Sequence, residues 1–232
     1  MHGGPPSALL ARAIEKQIDV AALRVARMSV VFHRPLAIDA YRIAVETTRE
    51  GKKVRTMRAL LLDAQDRVSA TADAILIRRT AIDAETTPAT NDRLPEACPP
   101  YTFTFFADAR GYHTAMECRL LHGKFGEGRM GLWMRMRYPL VPNETPSALS
   151  RTMIAADSGN GVSVAVDLAK YTFVNPDLTV ALSREPDGEW IGLDARTSFG
   201  PDGVGLSDTR LLDEAGTVGR GMQTLILESR SS

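Results

Sequence analysis

Three short segments of this chain occur twice in the same order, and an internal duplication constrains a fold more tightly than any local propensity. Pro6-Ser7-Ala8-Leu9 recurs as Pro146-Ser147-Ala148-Leu149. Phe32 and Pro35 recur at nearly the same offset as Phe173 and Pro176. Leu61-Leu62-Asp63 and Val68 recur as Leu211-Leu212-Asp213 and Val218, and the apolar run Ile75-Leu76-Ile77 falls on Leu225-Ile226-Leu227. The offset of the last anchor exceeds that of the second only by a short insertion. At 232 residues, the chain has the length of one large domain or of two domains of about 100 to 150 residues. Two copies of one small module fit that length.

Each copy reads as a helix followed by antiparallel strands. Pro5 and Pro6 suit a helix start, where their missing N–H groups cost nothing, and Ala8, Leu9, Leu10, Ala13 and Ile14 recur at helical spacing up to about Lys16. Strands are expected over 26–33, 41–48, 53–62 and 68–78, divided by polar turns at Glu50-Gly51 and Asp63–Asp66. The second copy predicts a helix over 147–157 and strands over 162–173, 178–184, 189–199, 205–212 and 217–227, with Pro186-Asp187-Gly188 as its clearest turn. Gly159-Asn160-Gly161 is expected to close the second helix as a left-handed cap. The resulting expectation is an α+β double hotdog, in which two antiparallel sheets each wrap a central helix and pair with one another. Residues 1–79 form the first hotdog, the proline-rich stretch 80–101 the linker, and 102–232 the second hotdog. Further strands over 112–121 and 131–138 precede the second helix, so the first copy is expected to lack its leading strand.

Composition excludes several function classes. Lys plus Arg equals Asp plus Glu at 28 each, so no net basic field gathers nucleic acid or anionic lipid. The two cysteines, Cys98 and Cys118, have neither metal-ligand spacing nor a disulfide framework, which suits a reducing cytoplasm. No apolar run reaches the roughly 18 to 20 residues of a membrane span, and no export signal opens the chain. His33, His113 and His122 show no metal-ligand spacing, and neither a metal nor a cofactor is expected. A Gly-x-Ser-x-Gly nucleophile elbow, a Rossmann glycine pattern and a phosphate loop are all absent. Trp133 and Trp190 read as packing residues.

Residues that differ between the copies are the candidates for chemistry. In the linear alignment Asp177 stands where the first copy has Leu36, and Gln223 where it has Asp73, with Gly219 and Gly221 leaving room nearby. Hydrolysis of a thioester needs a positioned water, an acceptor for its proton and donors at the developing oxyanion. Asp177 and Gln223 can hold such a water, with Thr197 or Ser198 joining the network. A turn carboxylate, a solvated glutamine and an ordinary strand threonine are the plain readings of the same residues. His2, Gly3 and Gly4 precede the first helix, where backbone N–H groups and the helix dipole favour negative charge.

The run Asn175-Pro176-Asp177-Leu178-Thr179-Val180, then Arg184, Pro186-Asp187-Gly188-Glu189-Trp190 and the stretch from Asp213 to Gln223, resembles the C-terminal half of TesB-like acyl-CoA thioesterases of the thioesterase-like superfamily. His2-Gly3-Gly4-Pro5 and the stretch from Phe32, Arg34 and Pro35 through Arg49, Gly51 and Lys52 to Ala70 resemble the N-terminal half. The resemblance implies a fatty acyl-CoA hydrolase that uses no covalent intermediate. It places the family's Asp on Asp177, its Gln on Gln223 and its hydroxyl on Thr197 or Ser198. Strand parity turns Thr197 inward, whereas an ungapped count from Trp190 favours Ser198. Two departures stand out: the chain starts at the His-Gly-Gly loop, and Leu178, Ala181 and Ser183 replace the family's aromatic and histidine residues after the Asp. A single site is expected, centred on the second copy and completed by the start of the first helix. The expected partner is acyl-CoA, with self-association left open. The alternatives are a non-catalytic acyl- or CoA-binding hotdog and, third, a hotdog hydratase or dehydratase.

Overall fold

The computed structural model describes residues 1–83, 91, 93–104 and 109–230. It opens with α1 (Gly4–Glu15), followed by β1 (Leu23–Phe32), β2 (Arg42–Arg49), β3 (Val54–Leu62) and β4 (Val68–Arg78). A single 3₁₀ turn at Pro95–Ala97 leads to β5 (Pro100–Tyr101), α2 (Tyr112–Ala115), β6 (Met116–Gly123) and β7 (Arg129–Met136). Then come α3 (Ala148–Ala156), α4 (Gly159–Val162), β8 (Tyr171–Val174), β9 (Asp177–Leu182), β10 (Ile191–Phe199), β11 (Val204–Asp213) and β12 (Gly216–Ser229). Pro5 and Pro6 occupy the first turn of α1, and Ser147 caps α3 by accepting the Ser150 N–H at 3.1 Å.

The strands join in one twelve-stranded antiparallel sheet rather than two separate ones, in the order β2-β3-β4-β1-β9-β12-β11-β10-β7-β6-β5, with β8 on the far end of β12. The seam between the two runs of strands is β1 against β9, where Ser29 faces Thr179 and their hydroxyls bond at 3.0 Å. On each side of the seam the same order is repeated: β1-β4-β3-β2 one way and β9-β12-β11-β10 the other. Helices α1 and α3 lie antiparallel against one another, since Arg12 near the end of α1 binds Glu144 just before α3 while His2 before α1 binds Asp157 after α3. Leu10, Ile14 and Met153 from the helices share one buried cluster with Met28, Leu76, Leu178 and Leu211 from the sheet. Each such side chain stabilises the fold by about 1.5–3 kcal/mol relative to exposure.

The internal repeat is visible in three dimensions, with one anchor corrected. Arg34 approaches Asp63 at 3.7 Å, and at the matching place in the second copy Arg184 forks onto Asp213. Burial pushes the Asp213 carboxyl up, yet the Arg184 fork and the N–H groups of Asp187 and Ala215 outweigh it and hold the group below the usual carboxylate range. The same β-bulge follows in both copies, between Leu61 and Leu62 and between Leu211 and Leu212. The Phe32/Pro35 and Phe173/Pro176 match is therefore not structural: Pro35 follows β1, whereas Pro176 precedes β9. With Arg34 set on Arg184, Asp177 corresponds to Arg27 rather than Leu36. On the buried face, Ala72, Ala74 and Leu76 correspond to Gly221, Gln223 and Leu225, so Gln223 replaces an alanine and not Asp73.

Three local expectations also change. Gly159, Asn160 and Gly161 do not form a left-handed cap, because neither glycine has positive φ; they continue as the helical turn α4. The strand expected over 162–173 is reduced to β8, and Val162 and Val164 are buried outside any strand. Residues 112–115 coil into α2 before β6 begins. Within the expected linker, Pro100 and Tyr101 pair with β6 and Asn91 donates to the Asp213 carbonyl, while 84–90 and 92 lie outside the described residues. Trp133 and Trp190 are buried, the latter with the guanidinium groups of Arg119 and Arg135 about its ring at 5.2 and 4.7 Å.

Candidate active site

Asp157 follows the last turn of α3 and is 3% exposed. A carboxylate at a helix C-terminus opposes the helix dipole, and burial removes the water that would offset it. The surroundings supply the compensation. Oδ1 accepts from Asn175 Nδ2 at 2.9 Å and Gln223 Nε2 at 3.3 Å, while Oδ2 lies 2.9 Å from His2 Nδ1. The start of α1, with its positive dipole end, faces the same carboxylate. Gly3 permits that approach: a methyl there would sit 2.9 Å from Asp157 Oδ2 and 2.7 Å from the Phe32 ring. The opposite end of the helix pair carries the ordinary arrangement, with Lys16 closing α1 and Glu144 preceding α3.

Gln223 is held from two sides. Its Oε1 accepts the Asn160 N–H at 3.0 Å, and its Nε2 donates to the Asp157 carbonyl at 3.0 Å. A backbone donor on one side and a backbone acceptor on the other fix the orientation of the amide. Asn160 Nδ2 donates to Asn175 Oδ1 at 3.2 Å, and Asn175 Nδ2 also reaches the Asp177 carbonyl at 3.1 Å. Gly159 lets α4 settle onto this layer, because a methyl there would collide with Thr209 Oγ1 and come within 3.1 Å of Gln223 Oε1. Across the strands beneath α4, Thr197, Ser207 and Gln223 stand in register. Thr197 Oγ1 bonds Ser163 Oγ at 2.7 Å, whereas the fully buried Ser207 hydroxyl has no hydrogen-bond partner among the described residues.

Tyr112 closes the other flank. Its ring stacks on His2 with centroids 3.7 Å apart and planes 9° from parallel. Its hydroxyl donates to the Ile154 carbonyl at 2.6 Å and meets Ser158 Oγ at 2.9 Å, and burial pushes the phenol above the usual tyrosine range. Two cavities open on the cluster. Gly3 and Asn175 line an open groove of about 450 Å³ with Phe32, Arg34, Leu36 and Ile226. His2 and Ser158 line a smaller apolar pocket of about 40 Å³ with Phe103, Tyr112, Met116 and Met134.

The structure thus brings together His2, Gly3, Gly4 and Gln223. It places Asp177 elsewhere: Leu178 and Val180 take the buried face of β9, and the Asp177 carboxylate instead accepts the Thr224 N–H at 2.7 Å. Among the described residues no hydrogen bond joins that carboxylate to the Gln223 carboxamide. Thr197 is turned inward behind α4, and Ser198 is exposed. Asp157, Asn160 and Tyr112 are not legible as site residues in the sequence. The one available signal is an acid directly ending an apolar helix and followed by Ser-Gly-Asn. Among the described residues no cluster of His, Cys, Asp or Glu could hold a metal ion, and no helix is long and apolar enough to cross a membrane.

Two family models between them match most of the chain. That of the acyl-CoA thioesterase C-terminal domain matches residues 95–227, and that of the N-terminal domain matches residues 1–77. The chain belongs to the acyl-CoA thioesterase family, and it is a thioester hydrolase acting on acyl-CoA. Among solved structures it shares the fold of the acyl-CoA thioesterase II TesB2 from Mycobacterium marinum, at 17% identity and a TM-score of 0.75 over 99% of this chain and 90% of that one. A tesB protein from Mycobacterium avium subs paratuberculosis is similar at 14% identity and a TM-score of 0.74, over 98% and 87% of the two chains. A hot dog fold protein from Alicyclobacillus acidocaldarius is similar at 14% identity and a TM-score of 0.74, over 99% and 88%. No curated protein matches the chain at a significant level.

Proposed function

We propose that the chain is a double hotdog that hydrolyses fatty acyl-CoA by direct attack of water, at one site between the start of α1 and the end of α3. The observation that carries this reading is the buried Asp157 carboxylate, held by Asn175 and Gln223 and facing the start of α1. A preorganised acid of this kind costs no reorganisation when charge moves in the transition state. The α1 N-terminus, with Gly3 and Gly4, supplies positive potential where the thioester oxygen becomes negative. The substrate takes the open groove of about 450 Å³ beside Phe32 and Leu36, the larger of the two cavities on the cluster.

Gln223 orients Asp157 and the turn around Asn160. Asp177 acts one step away, by fixing Thr224 and therefore the strand that carries Gln223. Thr197 anchors α4 through Ser163. Release of CoA thiol from a panel of acyl-CoAs of increasing chain length tests the reading. The expected outcome is turnover that falls at least a hundredfold in Gln223→Ala. Binding of acyl-CoA without turnover would refute it in favour of a non-catalytic binding protein.

A further inference from the structure

We infer that Arg34 holds a phosphate of CoA while the thioester sits at the proposed site, on which the inference rests. The internal repeat shows the same arginine in two circumstances. In the second copy Arg184 is fully engaged: Nη1 and Nη2 fork onto the buried Asp213 carboxylate, and Nη2 also donates to the Gly216 carbonyl at 3.1 Å. In the first copy the matching Asp63 takes its partners elsewhere. It accepts from the Arg67 side chain at 2.9 Å and from the N–H groups of Gln65 and Arg67 at 2.9 and 3.0 Å. The counterpart of Arg67 in the second copy is Thr217, which has no charge to compete for the acid. Arg34 is thus left 3.7 Å from Asp63, and among the described residues no hydrogen bond holds its guanidinium, whose Nε–H is buried without a partner.

The guanidinium left over in this way opens on the substrate groove. Arg34 lines that groove together with Gly3 and Asn175 of the proposed site, and 38% of its side chain is exposed. His33 is the other side chain of the groove able to carry positive charge, and its Nε2 is engaged with Thr71 Oγ1 at 2.8 Å. No Asp or Glu lines the groove among the described residues, and Phe32, Leu36, Val174 and Ile226 make much of its wall apolar. An apolar groove with one uncommitted guanidinium suits a ligand that has a long neutral section and an anionic end. In an acyl-CoA the pantetheine arm is that section and the phosphates are that end. A guanidinium matches a phosphate through paired N–H donors, and its planar fork fits two oxygens at once.

Such a contact leaves the chemistry alone. It is made equally in the bound substrate and in the transition state, so it lowers KM without raising kcat. Stability also separates Arg34 from its counterpart. Removing Arg184 strands the buried Asp213 charge, whereas Asp63 keeps Arg67 and two backbone donors when Arg34 is removed. Arg34→Met should therefore leave the melting temperature within about 3 °C of wild type.

The test is thiol release by the full chain, as wild type and Arg34→Met, from one acyl group carried either on CoA or on pantetheine, which lacks the phosphates. Wild type should show the lower KM for acyl-CoA. In Arg34→Met the KM for acyl-CoA should rise about five- to fiftyfold, with kcat within about threefold and the KM for acyl-pantetheine unchanged. Added salt should raise the acyl-CoA KM of wild type more steeply than that of the variant. Arg34→Gln, which keeps a polar head without the charge, repeats the comparison, and circular dichroism confirms that both variants fold. An equal rise in KM with the two thioesters, or no rise with either, overturns the inference and leaves the hydrolase reading standing. A wild type that releases no thiol from either thioester overturns both.

Discussion

Replacing Gln223 by leucine, a side chain of similar volume, isolates what its hydrogen bonds contribute. Gln223 is 1% exposed, so no water replaces the partners it leaves behind. The Asn160 N–H and the Asp157 carbonyl each lose their bond to Gln223, and Asp157 Oδ1 keeps the Asn175 amide alone. Leaving a buried polar group unsatisfied costs about 1–3 kcal/mol. Two such groups, less the better burial of an apolar side chain, give a net loss of about 2–4 kcal/mol. For a protein of this size each kcal/mol is worth about 2–4 °C in Tm, so the melting temperature should fall by roughly 4–16 °C. Gln223→Glu should be worse still at neutral pH, because it sets a second carboxylate where Nε2 now lies 3.3 Å from Asp157 Oδ1. Differential scanning calorimetry and urea unfolding measure both. A Gln223→Leu protein within about 0.5 kcal/mol of wild type, the range of an inconsequential surface change, would refute the reasoning. The two backbone groups would then have other partners.

Other outcomes follow from the same structure. Gly159→Ala should lower stability and activity together, because its methyl meets Thr209 Oγ1 and the Gln223 carboxamide; thermal melting and thiol release read the two effects. Ser207→Ala should raise the melting temperature slightly or leave it unchanged, since the hydroxyl removed is buried without a partner. Asp213 has a depressed carboxyl pKa, so its stabilising contribution is present above the unfolded-state value of about 3.9 and is lost as pH falls through the lower folded value. Arg184→Met should therefore flatten the loss of stability between neutral and strongly acidic pH in denaturant titrations, while costing about 3–5 kcal/mol at neutral pH.

Much of the fold can be read in the sequence because its signals are local. Pro5-Pro6 followed by an apolar face marks α1, and the apolar run Leu225-Ile226-Leu227 marks the last strand. The Leu-Leu-Asp anchor survives in three dimensions because the aspartate does the same work twice, taking an arginine from a neighbouring strand end. Phe32/Pro35 misleads because an aromatic residue near a proline recurs wherever a strand meets a turn. The stretch after Gly161 misleads through Val162, Val164 and Val166, which alternate like a strand; here α4 buries the first of them, and no neighbouring strand pairs with the second.

The proposed site is half legible for a different reason. His2, Gly3 and Gly4 stand out by position and composition, and Gln223 by its place in a matching run. Asp157 only closes the helix expected over 147–157, and nothing in the sequence marks it further. What buries it is the start of α1, at the opposite end of the first copy, which no local pattern reveals. Asp177 has the motif but not the facing, because strand alternation gives the inner side of β9 to Leu178 and Val180.

The proposed site puts the carboxylate at the end of α3 at the centre of hydrolysis. Thiol release from acyl-CoA by Asp157→Asn and Asp177→Asn, assayed side by side with wild type, tests this most directly. The expected result is that Asp157→Asn loses at least a hundredfold in kcat while Asp177→Asn loses no more than about tenfold. A wild-type rate in Asp157→Asn with activity abolished in Asp177→Asn would contradict it.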